Sequence, residues 1–150
     1  MIPLQDSKVE WLVSSNATVA TGTTTYGYLD TAGWDYAKVC LTFGVQASSS
    51  VMATTLSLTE GTNSTAASAI VAFTGGTATS ASVGYVIPIF NTSEAGCAVF
   101  NVDLGKRERY LRVNMCNSVA AAVPQAFAIL SRGEEVPGPD GGSASVTVDG

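Results

Sequence analysis

The sequence predicts an all-β, single-domain β-sandwich of jelly-roll type with extended N- and C-terminal segments, and three observations carry that prediction. Large apolar residues recur at every second position in several short runs, the period of a strand with one buried face. Clusters of Gly, Ser, Thr and Asn separate these runs at short intervals and supply turns. About a fifth of the residues are Ser or Thr, whereas Lys, Glu and the other strong helix formers are scarce. At 150 residues the chain has length for one compact core.

The elements follow in order. Residues 1–8 are read as an N-terminal arm, and Val9 to Val13 as the first strand, followed by a candidate at Ala17 to Thr21. Val39 to Gln46 alternates cleanly, as does Thr54 to Thr59. Ala69 to Phe73 and Tyr85 to Phe90 are further candidates, the latter interrupted by a proline. Phe100 to Leu104 alternates again, Tyr110 to Met115 turns Leu111, Val113 and Met115 inward, and Phe127 to Leu130 closes the sandwich, which spans residues 9–132. The total is eight or nine strands. Ser118 to Val123 is alanine-rich but stops at Pro124, so it offers a turn of helix at most. Residues 133–150 read as a Pro/Gly-rich linker and a C-terminal extension in which Ala144 to Val148 alternates once more. Such a strand can pair with its own sheet edge or with a neighbouring subunit. The predicted core is Val39, Leu41, Phe43, Leu56, Leu58, Phe100, Val102, Leu111, Val113 and Phe127.

Charge and chemistry narrow the function. A net charge of −5 argues against a general nucleic-acid binder, which neutralises phosphates with clustered cations. The absence of histidine removes Ser-His-Asp and Cys-His catalysis and His-based zinc sites. The first residues lack the basic start and apolar core of a signal peptide, so synthesis in a cytosol is expected. No apolar stretch approaches the ~18 residues of a membrane helix. Cys40, Cys97 and Cys116 lack CxxC spacing and are read as buried free thiols.

Several motifs have competing readings. Leu29-Asp30-Thr31-Ala32-Gly33 is close to the Asp-Thr-Gly of aspartic proteases, but Ala32 stands where the glycine is required. The preferred reading is a turn capped by Asp30 and Thr31, with Gly33 reversing the chain. Four of the seven basic residues fall in Lys106 to Arg112. They either face acidic residues of a protein partner or form a solvated hairpin, in which Arg109 and Arg112 can also pair within the fold. Trp11, Trp34, Tyr26, Tyr28 and Tyr36 crowd the first quarter of the chain. They suit a core or oligomer interface better than sugar stacking. Three N-glycosylation patterns, at Asn16, Asn63 and Asn91, are chance matches in a Ser/Thr-rich chain. Glu60, Glu94 and Asp103 have no spacing that places a glycosidase pair across a cleft.

The segment from Tyr28 to Val39, Tyr-Leu-Asp-Thr-Ala-Gly-Trp-Asp-Tyr-Ala-Lys-Val, resembles a pattern of small virion proteins of tailed bacteriophages and related prophages. Leu56 to Gly61 is similar to that family's strand ending in an acidic turn, and Val102 to Val113 to its Asp-Leu, basic turn, Tyr-Leu-Arg-Val hairpin. The resemblance covers about residues 26–115. It implies a capsid cement or decoration protein, commonly a homotrimer, that binds the outer surface of the phage head and bridges major capsid proteins. A structural role without enzymatic activity, cofactor, metal, nucleic acid or membrane is therefore expected, in a protein made in the bacterial cytoplasm and carried on the virion. The expected partner-binding residues are Lys106, Arg107 and Arg109 in the turn, Ile2 and Leu4 in the arm, and Val146 and Val148 in the extension. The alternatives are a carbohydrate-binding appendage using Trp34 and Tyr36, or a tail or fibre subunit.

Overall fold

In the computed structural model, the residues described are 6–14, 22, 24–43, 50–51, 53–76, 84–87, 89–90, 96–117, 124–132 and 145–149. They form β1 (Ser7–Ser14), β2 (Thr24–Asp30), β3 (Tyr36–Phe43), β4 (Ser50–Val51), β5 (Ala53–Gly61), β6 (Ser68–Gly76), β7 (Tyr85–Val86), β8 (Ile89–Phe90), β9 (Gly96–Asp103), β10 (Tyr110–Asn117), β11 (Pro124–Ser131) and β12 (Ser145–Asp149). A 3₁₀ turn, Leu104–Lys106, links β9 to β10. The fold is all-β, with two sheets packed face to face: the first in the order β1-β11-β3-β9-β12, the second in the order β2-β10-β5-β6-β7. β4 and β8 make a separate pair, and all pairings are antiparallel except β6 with β7.

Alternation decides which side chains meet between the sheets. On the first sheet Val39 lies between Phe100 and Ala128 in register, and Leu41 between Ala98 and Ala126. On the second, Val113 is opposite Leu58, Met115 opposite Leu56, and Leu111 opposite Leu29. All ten are buried. Phe73 from β6 reaches across to Phe100, edge to face at 5.5 Å, and Tyr85 packs on the same ring at 6.0 Å. Burial raises the Tyr85 phenol pKa, while its hydroxyl donates to the Leu56 carbonyl at 2.7 Å.

β2 is a strand that the sequence expectation lacked, and two side-chain placements also depart from that expectation. Phe127 belongs to the outer face of β11, whose inward residues are Ala126, Ala128 and Leu130. It packs at a tilt against its register partner Trp11, ring centres 5.6 Å apart, outside the core. Leu130 fills the inward position instead, and the small alanines before it made Phe127 look like the buried residue of the run. Cys97 is only half-buried, because it too points outward, whereas Cys40 and Cys116 are buried; none of the three forms a disulfide. Cys40, although outward, is flanked in register by Phe127 and Val99, and burial raises its thiol pKa. Of the other expectations, Ala17 to Thr21 and the Phe43 side chain lie outside the described residues.

β1 and β2 are edge strands of opposite sheets and come together along one flank. Gly27 makes that approach possible. A Cβ there would lie 2.8 Å from both the Cβ and the carbonyl oxygen of Leu12, inside van der Waals contact.

Candidate partner-binding site

Three connections lie at one end of the sandwich: β2 to β3 (Thr31–Asp35), β5 to β6 (Thr62–Ala67), and β9 to β10 (Leu104–Arg109). Local chemistry shapes each of them. Asp30 Oδ1 accepts from the Ala32 amide at 3.1 Å, and Gly33 takes the left-handed conformation at φ +81 that reverses the chain. Asn63 Oδ1 accepts from the amide and the hydroxyl of Thr65. Asp103 Oδ1 accepts from the Gly105 amide at 2.9 Å and so caps the 3₁₀ turn.

The connections are braced against one another by groups distant in sequence. The Thr31 amide and hydroxyl both donate to the Arg109 carbonyl, at 3.0 and 2.6 Å. The Leu104 amide donates to the Asp35 carbonyl at 2.9 Å. Arg109 forms a two-point pair with Asp30, Nε to Oδ1 at 2.9 Å and Nη2 to Oδ2 at 2.7 Å, the fork geometry that favours arginine over lysine. Arg107 reaches Glu60 at 3.4 Å, and the second oxygen of Glu60 accepts from the Glu108 amide at 3.1 Å. Arg132 donates to the Gly33 carbonyl at 2.8 Å and lies 4.9 Å over the Trp34 ring.

These contacts settle the local electrostatics. Hydrogen bonds from Arg109 and then from the Ala32 amide hold the Asp30 carboxyl down to about 2, and the pairing raises Arg109. Asp30 is thus committed to a structural pair. Of the residues expected to meet a partner, Lys106, Arg107 and Arg109 share this end; Lys106 is exposed at the turn, whereas Arg107 and Arg109 already hold carboxylates. Val146 and Val148 lie in β12, in register with Phe100 and Ala98 of β9, so the extension completes the first sheet of its own chain. Ile2 and Leu4 lie outside the described residues.

A second polar region lies on the outer face of the second sheet. Leu111, Val113 and Met115 point into the core, so Arg112 and Asn114 point away from it. Arg112 lies 4.9 Å over the Tyr26 ring and is directly opposite Tyr28 in register; each tyrosine is 49 % exposed. Asn114 Nδ2 donates to Thr59 Oγ1 at 3.2 Å and to Ser57 Oγ at 3.4 Å, and all three residues are buried. The sequence signal for this face was the alternation Tyr26, Tyr28, Asp30 against Gly27 and Leu29. An inward glycine hides it from a search for apolar periodicity.

Among the described residues no group of three or more Cys, Asp or Glu could hold a metal ion, and no helix is long and apolar enough to cross a membrane. Comparison of the chain with protein-family models, with curated proteins and with solved structures found no match.

Proposed function

We propose that this protein is a capsid cement or decoration protein, a virion structural protein that binds the outer surface of a phage head as a homotrimer and stabilises contacts between major capsid proteins. The observation that carries the reading is a convergence. The three segments that resemble small phage virion proteins, 28–39, 56–61 and 102–113, meet at one end of the sandwich through the Asp30–Arg109 and Glu60–Arg107 pairs and the Leu104–Asp35 hydrogen bond. The segments that carry the resemblance thus form one braced unit, which supports the reading. The unit presents Lys106 on a turn tied at both flanks, which suits a rigid protein contact at low ordering cost.

The strand order supports the jelly-roll type. Within the two sheets, β1-β11-β3-β9 faces β2-β10-β5-β6, and among these eight strands the chain changes sheet at every connection but β5 to β6. Jelly rolls occur in viral capsid and lectin domains. The carbohydrate alternative is less well supported, since Trp34 is part-buried against the core and covered by Arg132. The reading assigns no catalytic residue, cofactor or nucleic-acid contact.

The test is co-sedimentation of the purified protein with expanded, undecorated heads, recording mass per particle. Saturation at a stoichiometry set by shell symmetry supports the reading, with multiples of three supporting trimers. A protein that stays in the supernatant overturns it. Lys106→Glu is the cleaner turn variant, because reversal at Arg107 or Arg109 also breaks the internal pairs with Glu60 and Asp30.

A further inference from the structure

The seven basic residues are not equivalent as partner contacts. Lys8 pairs with Glu10, Arg107 with Glu60 and Arg109 with Asp30, while Arg132 is bonded to a carbonyl and stacked on Trp34. Among the described residues, Lys38, Lys106 and Arg112 have no carboxylate partner. Lys38 and Lys106 are exposed ammonium groups, strongly hydrated and mobile. Arg112 differs, because it is half-buried on the outer face of β10, its guanidinium rests on the Tyr26 ring, and its buried Nε finds no acceptor among the described residues. Nε lies beneath the surface, so a partner can reach only the terminal nitrogens, which form no salt bridge among the described residues, on a face walled by two half-exposed tyrosines.

We infer that the outer face of the second sheet around Tyr26, Tyr28 and Arg112 is the centre of the protein's docking surface, and that it receives an acidic side chain of a protein partner on the Arg112 guanidinium. The inference rests on the capsid reading above, under which that partner is the shell subunit, with Lys106 at the rim of the contact. Arginine and tyrosine are the residue types that dominate interface energetics, and a carboxylate supplies the charge and the two-point geometry that Arg112 lacks. The polar floor favours protein over sugar. Ser57, Thr59 and Asn114 are buried and bonded to one another, which leaves few hydroxyl or amide contacts for a ligand that needs many. One cation is too few for a phosphate backbone.

The experiment measures binding of the whole protein to expanded heads for the parent, Arg112→Gln, Arg112→Lys, Tyr28→Ala and Lys38→Gln, with folding of each checked by circular dichroism and thermal melting. Lys38→Gln is the control: it removes one unpaired charge from the outer face of the other sheet. Arg112→Gln and Tyr28→Ala are expected to weaken binding tenfold or more, Arg112→Lys less, and Lys38→Gln not at all. Folded Arg112→Gln and Arg112→Lys proteins that bind like the parent would remove the inference and leave the capsid reading standing. Equal losses in Arg112→Gln and Lys38→Gln would also remove it, by assigning the effect to bulk charge. A parent that fails to bind heads removes both. Retention on an acidic-glycan array that depends on Arg112 and Tyr28 would assign the face to a sugar and overturn the protein partner.

Discussion

Arg109 joins two connections that are 79 residues apart in sequence through its pair with Asp30. Both groups are substantially exposed, so the pair acts more by fixing geometry than by adding stability. Its pH dependence is nevertheless definite. The folded Asp30 carboxyl titrates at about 2 against 3.8 for the free group, so its contribution is full above about pH 4 and is lost as pH falls through about 2. Asp30→Asn should lower the melting temperature at neutral pH, and the difference from the parent should close between about pH 4 and pH 2. A difference that persists unchanged at pH 2 would mean that the pair is not what the variant removes. Gly27 gives the second prediction at this scale. Adding a Cβ drives it into the Leu12 backbone, and Gly27→Ala should cost roughly 1–3 kcal/mol, read from the urea midpoint.

At the scale of elements, β10 and β11 show how much the sequence revealed. β10 has large apolar residues at 111, 113 and 115 and polar residues between them, and every one of those three is buried as its period requires. β3, β5 and β9 were legible for the same reason, since each carries at least two large inward residues, Val39 and Leu41, Leu56 and Leu58, and Phe100 and Val102. β11 reverses that logic, with alanines on the inside and Phe127 and Ile129 on the outside. Side-chain size then points to the wrong face, and only the pairing with β3 and β1 decides it. β2 escaped for a related reason, because its inward positions include a glycine chosen for close approach. In the site, the basic turn was visible as a charge cluster, but the acids that hold it, Asp30 and Glu60, come from other strands and cannot be matched to it by spacing. The two faces of the first sheet can be compared directly. Phe100→Ala should cost about 3–5 kcal/mol and Phe127→Ala distinctly less, measured by chemical denaturation; equal costs would contradict the assignment of Phe127 to the outer face.

For the molecule as a whole, β12 is the strand that closes one edge of the first sheet. It covers the edge of β9 from Cys97 to Asn101. Removing residues 133–150 leaves that edge with unpaired backbone donors and acceptors, a ready template for another chain. The truncated protein should show a concentration-dependent rise in apparent mass over the parent by light scattering. A truncated protein of parental mass at all concentrations would show that the edge is protected by other means. The substitutions at Gly27, Asp30 and Phe100 should leave this association behaviour unchanged while the fold persists, since none removes β12 from the edge of β9 and the Phe100 side chain is buried between the sheets.

The position of β11 between β1 and β3 also has a consequence for biosynthesis. Ser7 finds its partner in Ser131, so β1 cannot enter the first sheet until β11 has been made, whereas β3 can pair with β9 before that. Until then Val39 and Leu41 have no complete surface to pack against. Closing the β1–β11 pair brings together segments more than a hundred residues apart, the kind of long-range contact that slows folding and leaves apolar strands exposed in the meantime.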